Sequence, residues 1–457
     1  MRGLLFLLLF TASLPLIFVS AFNGVLIWYV FSFGNFHTLV WGPLSDLNYA
    51  YIIAILTCLS WLFSSTEKKR LPLTPLLILT ITSSVWMTIT SMYALAPEAD
   101  VWAKWVFVHK MLFMALVGYA LTTTQERVNQ LIWVIVLSIG FWGVKGAIGG
   151  LLLGGTVYGP PGGAISDNND FGLALLMILP LILYQWQLAT NRWIAYGLML
   201  MGILVVVAAV LTYSRGALVG LCVMGSFLLI RSRAKLSIIV LIIVVGCSIY
   251  SFAPTKWFSR MSTIESYQDD DSAMGRIYFW KIALQIADQR PIIGGGFRVT
   301  FWPEVTNRLL AGTDLPELTM PRAVHSIYFD ALSEHGYVGL ALFMLITLYS
   351  WFNCSWLIRH SRDRPDHAWA NLLGRMGHVV LVSYWTAGAF ASQAYLDEYW
   401  CVVFLFDAAR RIVAVEGAKP VGANESSYSV SPRSNWPSLN SRGRPRRGVR
   451  TTSQGRT

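Results

Sequence analysis

The feature that most constrains this chain is the recurrence of apolar runs along almost its whole length. A helix of about 20 apolar residues crosses a hydrocarbon core of ~30 Å. Inside a bilayer the backbone finds no water, so such runs close their own hydrogen bonds as helices. The runs fall near 4–31, 49–63, 73–92, 105–121, 131–153, 171–184, 193–211, 216–230, 236–252, 337–357, 376–394 and 399–409. The expected fold class is therefore an all-α integral membrane protein of about 12 transmembrane helices. Its 457 residues count helices rather than globular domains. Charged residues make up 13%, well below the roughly 25% of soluble domains.

Loop charges set the expected orientation. Lys68-Lys69-Arg70, Arg127, Arg192, Arg231/Arg233/Lys235 and Arg359/Arg362/Arg364 fall in every second loop. Short basic loops stay in the cytoplasm. The first 35 residues admit one long helix or two short ones. One tilted span, broken at Pro15 or Gly24, keeps Arg2 with the other basic loops, so both termini are expected to be cytoplasmic. The domains read as membrane helices over 1–252, a periplasmic loop over 253–324, further membrane helices over 325–412 and a basic, disordered tail over 413–457. In the loop, Arg276 to Ile286 predicts a helix with an aromatic face (Tyr278, Phe279, Trp280), ended by Pro291 and Gly294-Gly295-Gly296.

The net charge of +11 does not imply nucleic acid. From Arg410 onward ten Lys/Arg against two Glu give +8, a tail facing anionic lipid. The five cysteines lie in apolar segments without a CxxC pair, which predicts neither disulfide nor zinc. No internal repeat is visible, which argues against a transporter built from two related halves.

Charges in or beside a bilayer are costly and become candidates for function. Arg215 lies in the turn Thr212-Tyr213-Ser214-Arg215-Gly216, where its planar fork could meet a phosphate or simply snorkel. Arg276 follows Gly275, which permits close backbone approach. His325 stands where the large loop re-enters the membrane, and an imidazole there can act as a base. Lys110 and Lys145 lie within apolar spans and need an anion, a wet cavity or an interface. Asp167, Asn168, Asn169 and Asp170 precede a span, with helix capping as the bland alternative to a substrate contact by Asn169. Glu334 follows His325 by nine residues and on one straight helix would lie on its opposite side. It is kept as a candidate substrate contact, not as a partner of His325. There is no carboxylate cluster for a divalent metal and no phosphate-binding glycine loop, so no cofactor is expected. Two arginines and one histidine suit an anionic, lipid-linked substrate whose diphosphate leaving group needs only charge stabilisation.

The segments TYSRGALVG, SAMGRIYFWKIALQIADQRPIIGGGF and AVHSIYFDALSEHGYVGLALF resemble, in that order, the core motifs of the O-antigen ligase and polymerase superfamily. WYVFSFGNFHTLVWG, RLPLTPLL, VLSIGFWGVKG, YGPPGGAISDNND and WFSRMSTIESYQDDDSAMGR look like the O-glycosylation ligases associated with exosortase A systems. The resemblance runs from residue 1 to about 357. It implies a multi-pass enzyme of the bacterial inner membrane that takes a glycan from undecaprenyl diphosphate, without nucleotide or metal. Arg215 and Arg276 then match the arginines that bind the donor diphosphate, and His325 the histidine that activates the acceptor hydroxyl. The acceptor stays open between protein, lipid and glycan. A polymerase of the same superfamily, a flippase and a membrane scaffold are the competing readings.

Overall fold

The computed structural model describes residues 2–40, 42–45, 47–65, 67, 71–231 and 271–417. The expected ninth span at 236–252, the first part of the large loop, Lys68 to Arg70 and most of the basic tail lie outside the described residues. The described residues form fourteen α-helices joined by short turns: α1 (Arg2–Val19), α2 (Ala21–Gly34), α3 (Tyr49–Phe63), α4 (Pro75–Met92), α5 (Glu98–Leu121), α6 (Gln125–Leu153), α7 (Asn168–Leu188), α8 (Arg192–Leu211), α9 (Arg215–Arg231), α10 (Asp271–Gln289), α11 (Pro303–Leu310), α12 (Ile327–His360), α13 (Ala368–Gly388) and α14 (Asp397–Gly417). Six of them, α4 to α8 and α12, are long and apolar enough to cross a membrane. Bulky apolar side chains such as Leu153, Ile203 and Phe352 stand exposed on their outer faces. In water that surface would be costly, and a bilayer removes the cost.

Helix α7 is the centre of the bundle. In its most apolar 18-residue window 83% of residues are buried, against 39% for α8. It packs against α6, α8, α9 and α13. Small residues let the axes approach: a Cβ on Gly172 would meet Ala217 at 2.8 Å, and one on Gly220 would meet Leu176 at 2.7 Å and Ala387 at 3.0 Å.

The first 35 residues differ from expectation. They form two helices, not one kinked span, and the break is at Ser20 rather than Pro15 or Gly24. Ser20 is extended (φ −155°, ψ 132°), accepts from Phe22 N–H to cap α2, and bonds the Glu67 carboxylate at 2.9 Å. Gly24 serves packing, because its Cβ position is filled by Thr57 of α3. Gly3 lies beside Val40 and Leu44, just beyond the end of α2. The pair is therefore a hairpin whose turn sits at the end of the bundle where Arg127 pairs with Glu67 at 2.6 Å.

Helix α12 breaks at Gly336 (φ 68°, ψ −170°), so residues 327–335 form a separate short piece ahead of the long span. The glycine run docks on this break. Gly295 and Gly296 donate to the carbonyls of Ser333 and Glu334 at 2.8 Å, and Tyr337 N–H donates to Pro291 at 2.8 Å. A Cβ on Gly294 would lie 2.6 Å from Gly336 N and 2.7 Å from Ser333 O. Helix α10 extends the expected 276–286 helix at both ends and stops before Pro291. With residues 299–324 it forms a small core of its own, including Phe279, Ile282, Ile286, Leu310 and Val324. The last span runs past Arg411 to Gly417, whereas α13 ends at Gly388 and leaves 389–396 as a loop.

Candidate functional site

The turn before α9 is built by side chains that satisfy its backbone. Tyr213 sits in the left-handed region at φ 56°. Ser214 caps α9 by accepting from Ala217 N–H at 3.2 Å, and donates to Asn169 Oδ1 at 2.8 Å. Asn168 donates to Thr212 O at 2.8 Å. Asp167 caps α7, accepting from Asn169 N–H at 2.8 Å. Arg215, as the first residue of α9, is thereby fixed against the start of α7.

Helix α10 brings the second arginine to the same region. Trp280, one turn after Arg276, stacks on Phe329 at 5.4 Å and tilts against Phe390 at 6.2 Å. Phe390 in turn covers Gly216, where a Cβ would approach it to 2.7 Å. Gly275 has a concrete use as well: its missing Cβ leaves room for Arg322, whose Nη1 lies 3.2 Å from that position.

His325 precedes the short piece of α12 in a left-handed conformation, φ 55°. Its N–H donates to Ser392 Oγ at 2.7 Å, and Ser392 donates to Asp330 Oδ1 at 3.1 Å. Burial holds its imidazole below the usual value. The positive charges of Arg276 and Arg322 act in the same direction, and Asp167 opposes them. His325, Arg276, Arg322 and Asp167 thus share one electrostatic neighbourhood. Asn169 and Ser214 join it to the turn carrying Arg215.

The other candidates go elsewhere. Glu334 accepts from Arg298 N–H at 3.0 Å and from the Tyr395 hydroxyl at 2.9 Å. With Asp330 and Asp170 it surrounds Lys104, a residue the sequence reading missed. Lys104 fell outside the expected span at 105–121, but α5 begins at Glu98 and carries it into the bundle over the Tyr395 ring. The rule that flagged Lys110 would have found it once the helix start was drawn earlier. Lys110 is exposed on α5 at 5.5 Å from the Tyr51 ring, and Lys145 is exposed on α6 at 4.2 Å from the Trp142 ring. Neither is among the charges acting on His325. His335 is a packing residue, 3% exposed, bonded to Thr90 at 2.6 Å and edge-on to Phe297.

Comparison with known proteins divides the chain in two. Residues 1–190 match a family of unknown function. Residues 200–344 match the O-antigen ligase family. No curated protein matches the chain. The O-antigen ligase match encloses Arg215, Gly275, Arg276, His325 and Glu334, and with the apolar helices it supports a membrane-embedded protein similar to the O-antigen ligases.

Proposed function

We propose that this protein is a glycan ligase, transferring an oligosaccharide or polysaccharide from undecaprenyl diphosphate to an acceptor hydroxyl at the periplasmic face of the bacterial inner membrane. The observation that carries it is the shared neighbourhood of His325 with Arg276, joined through Asp167, Asn169 and Ser214 to Arg215. The acceptor oxygen attacks the anomeric carbon, and the bond from that carbon to the diphosphate oxygen breaks. The acceptor proton passes to His325, whose lowered basicity keeps it neutral and able to receive it. Undecaprenyl diphosphate leaves with its charge met by the Arg215 and Arg276 guanidinium groups. Because these groups meet the phosphate charge, neither nucleotide nor metal is required, and transfer is expected to survive excess chelator. The ligase reading follows the resemblance to exosortase-associated O-glycosylation ligases; ligase and polymerase are separated by the acceptor used.

The experiment is reconstitution in liposomes with an undecaprenyl-diphosphate glycan and candidate protein, lipid and glycan acceptors. Arg215→Lys keeps the charge but loses the bidentate fork, so transfer is expected to fall by about 2–4 kcal/mol in transition-state stabilisation. Arg276→Ala is expected to be at least as damaging. Normal transfer by either variant at normal protein level would remove the arginines from this role. Growth of the lipid-linked glycan itself would mark a polymerase instead.

A further inference from the structure

Between α13 and α14 the chain passes through a short loop, Ala389 to Leu396, that lies beyond both family matches. Three of its side chains each reach a different part of the site, and a fourth reaches Glu334 beside it. Phe390 packs over Gly216, next to Arg215, and against Trp280, one turn from Arg276. Ser392 bonds the His325 backbone and Asp330. Gln393 donates to Ala164 O at 2.9 Å, in the loop that leads to Asp167. Tyr395 donates to Glu334.

The contact at Ser392 is the informative one. A non-glycine residue at positive φ is uncommon and persists where its surroundings hold it. At His325 the holding bond is the 2.7 Å hydrogen bond to Ser392 Oγ. That oxygen is itself oriented by donating to Asp330. Asp330 lies in the first turn of α12, and its own N–H donates to Ser326 O at 2.8 Å. Leu396 and the loop before it are anchored in turn, since the Tyr384 hydroxyl donates to Gln393 O at 2.9 Å. The chain Asp330, Ser392, His325 therefore fixes where the imidazole leaves the backbone.

We infer that Ser392 is a positioning residue for His325, and that the loop Phe390 to Tyr395 is the template on which the arginine and histidine segments are assembled. This rests on the reading of His325 as the acceptor base, and adds a residue that touches neither donor nor acceptor. Loss of the Ser392 hydroxyl frees the His325 backbone to relax toward negative φ and swings the imidazole off its line. A displacement of this kind costs ~10–100-fold in rate without weakening donor binding.

The test uses the full chain in lipid nanodiscs and two readouts. Carbethoxylation by diethyl pyrocarbonate is followed at His325 by peptide mass spectrometry, with exposed His360 as the internal reference. Glycan transfer is followed in parallel. In Ser392→Ala the labelling rate at His325 is expected to change several-fold while that at His360 stays. The kcat is expected to fall ~10–100-fold with the donor KM unchanged. Ser392→Thr, which keeps the oxygen, is expected to restore both. Altered labelling in a protein whose wild type transfers no glycan would sustain the positioning role and remove the ligase reading. Unchanged labelling at His325 in Ser392→Ala overturns the inference, as does an equal loss in Ser392→Thr. If Ser392→Ala unfolds, buried His335 and His378 become labelled, and Ser392→Thr decides: normal labelling supports the role and altered labelling ends it.

Discussion

His325 is set in a field that favours its neutral form; Arg276 and Arg322 tune that field in one direction and Asp167 in the other. Replacement by alanine is expected to lower turnover by ~10²–10⁴-fold with donor binding kept, because general-base catalysis contributes about that much. The pH dependence has a definite sign. A base must be unprotonated, so the rate falls as pH drops through the His325 pKa, which lies below its ordinary value. Arg322→Gln removes a positive charge that disfavours the imidazolium. The pKa then rises and the acid limb of kcat moves to higher pH. The shift is modest, because Arg322 is exposed and screened. Asp167→Asn keeps a capping side chain but removes the opposing negative charge, so its acid limb is expected to move the other way. A profile unmoved by both would place the titrating group elsewhere. Arg215, Arg276 and His325 could be named as candidates from the sequence because each is a polar group amid apolar or aromatic neighbours and each matches a motif position of the family that the chain resembles. Lys104 was hidden by a helix start drawn seven residues late. Ser392 and Tyr395 were hidden more deeply. A lone hydroxyl carries no charge penalty and no spacing, and its value appears only when the chain folds back on it.

At the level of elements, the glycine run after α10 and the glycine at the break lock the segment after α10 to the broken helix. Gly294 and Gly336 both have positive φ; the Cβ position of Gly294 is occupied by the backbone of Gly336 and Ser333, and that of Gly336 by the backbone of Ile292 and Pro291. Gly336→Ala therefore meets strain and a backbone clash together, and is expected to cost more than about 1–3 kcal/mol. Gly197, in α8 with nothing within 4 Å of its Cβ position, is the control. Gly197→Ala is expected to stabilise its helix by up to ~1 kcal/mol. Thermal melting in detergent checks both, and equal melting temperatures would refute the locking. Helix centres were readable from hydropathy, and α3 was placed to the residue. Helix ends were not. Beside a membrane the pattern that marks an end is blurred by apolar loops, which is why Ala389 to Ala394 read as part of a span. The break at Ser20 was likewise invisible, since a single serine between two apolar runs gives no periodicity signal.

For the whole molecule the hairpin of α1 and α2 alters the expected topology. Ser20 lies at the end of the bundle marked by Glu67 and Arg127, and Gly3 lies at the other end with Val40 and Leu44. A tag fused ahead of Arg2 is thus expected on the same side as the loop at Gly154 and Gly155. Tags after Arg192 and Arg364 are expected on the opposite side. Protease protection in intact membrane vesicles reads this directly, and an N-terminal tag sharing the side of Arg192 would restore the single-span scheme. Glu67 gives a second check. The Arg127 guanidinium holds its carboxyl below the usual value, so the stabilisation it brings is present at neutral pH and is lost as pH falls through that lowered value.

The loop between the last two helices also sets an order in time. Asp167, Arg215, Arg276 and His325 all precede it in the chain, and synthesis runs from the N-terminus. Phe390 and Ser392 reach the membrane only after every other contributor to the site has been inserted. A chain interrupted anywhere before them holds the charged residues but not the segment that gathers them. Under the proposed ligase reading, unfinished copies in the membrane lack the assembled site and transfer nothing.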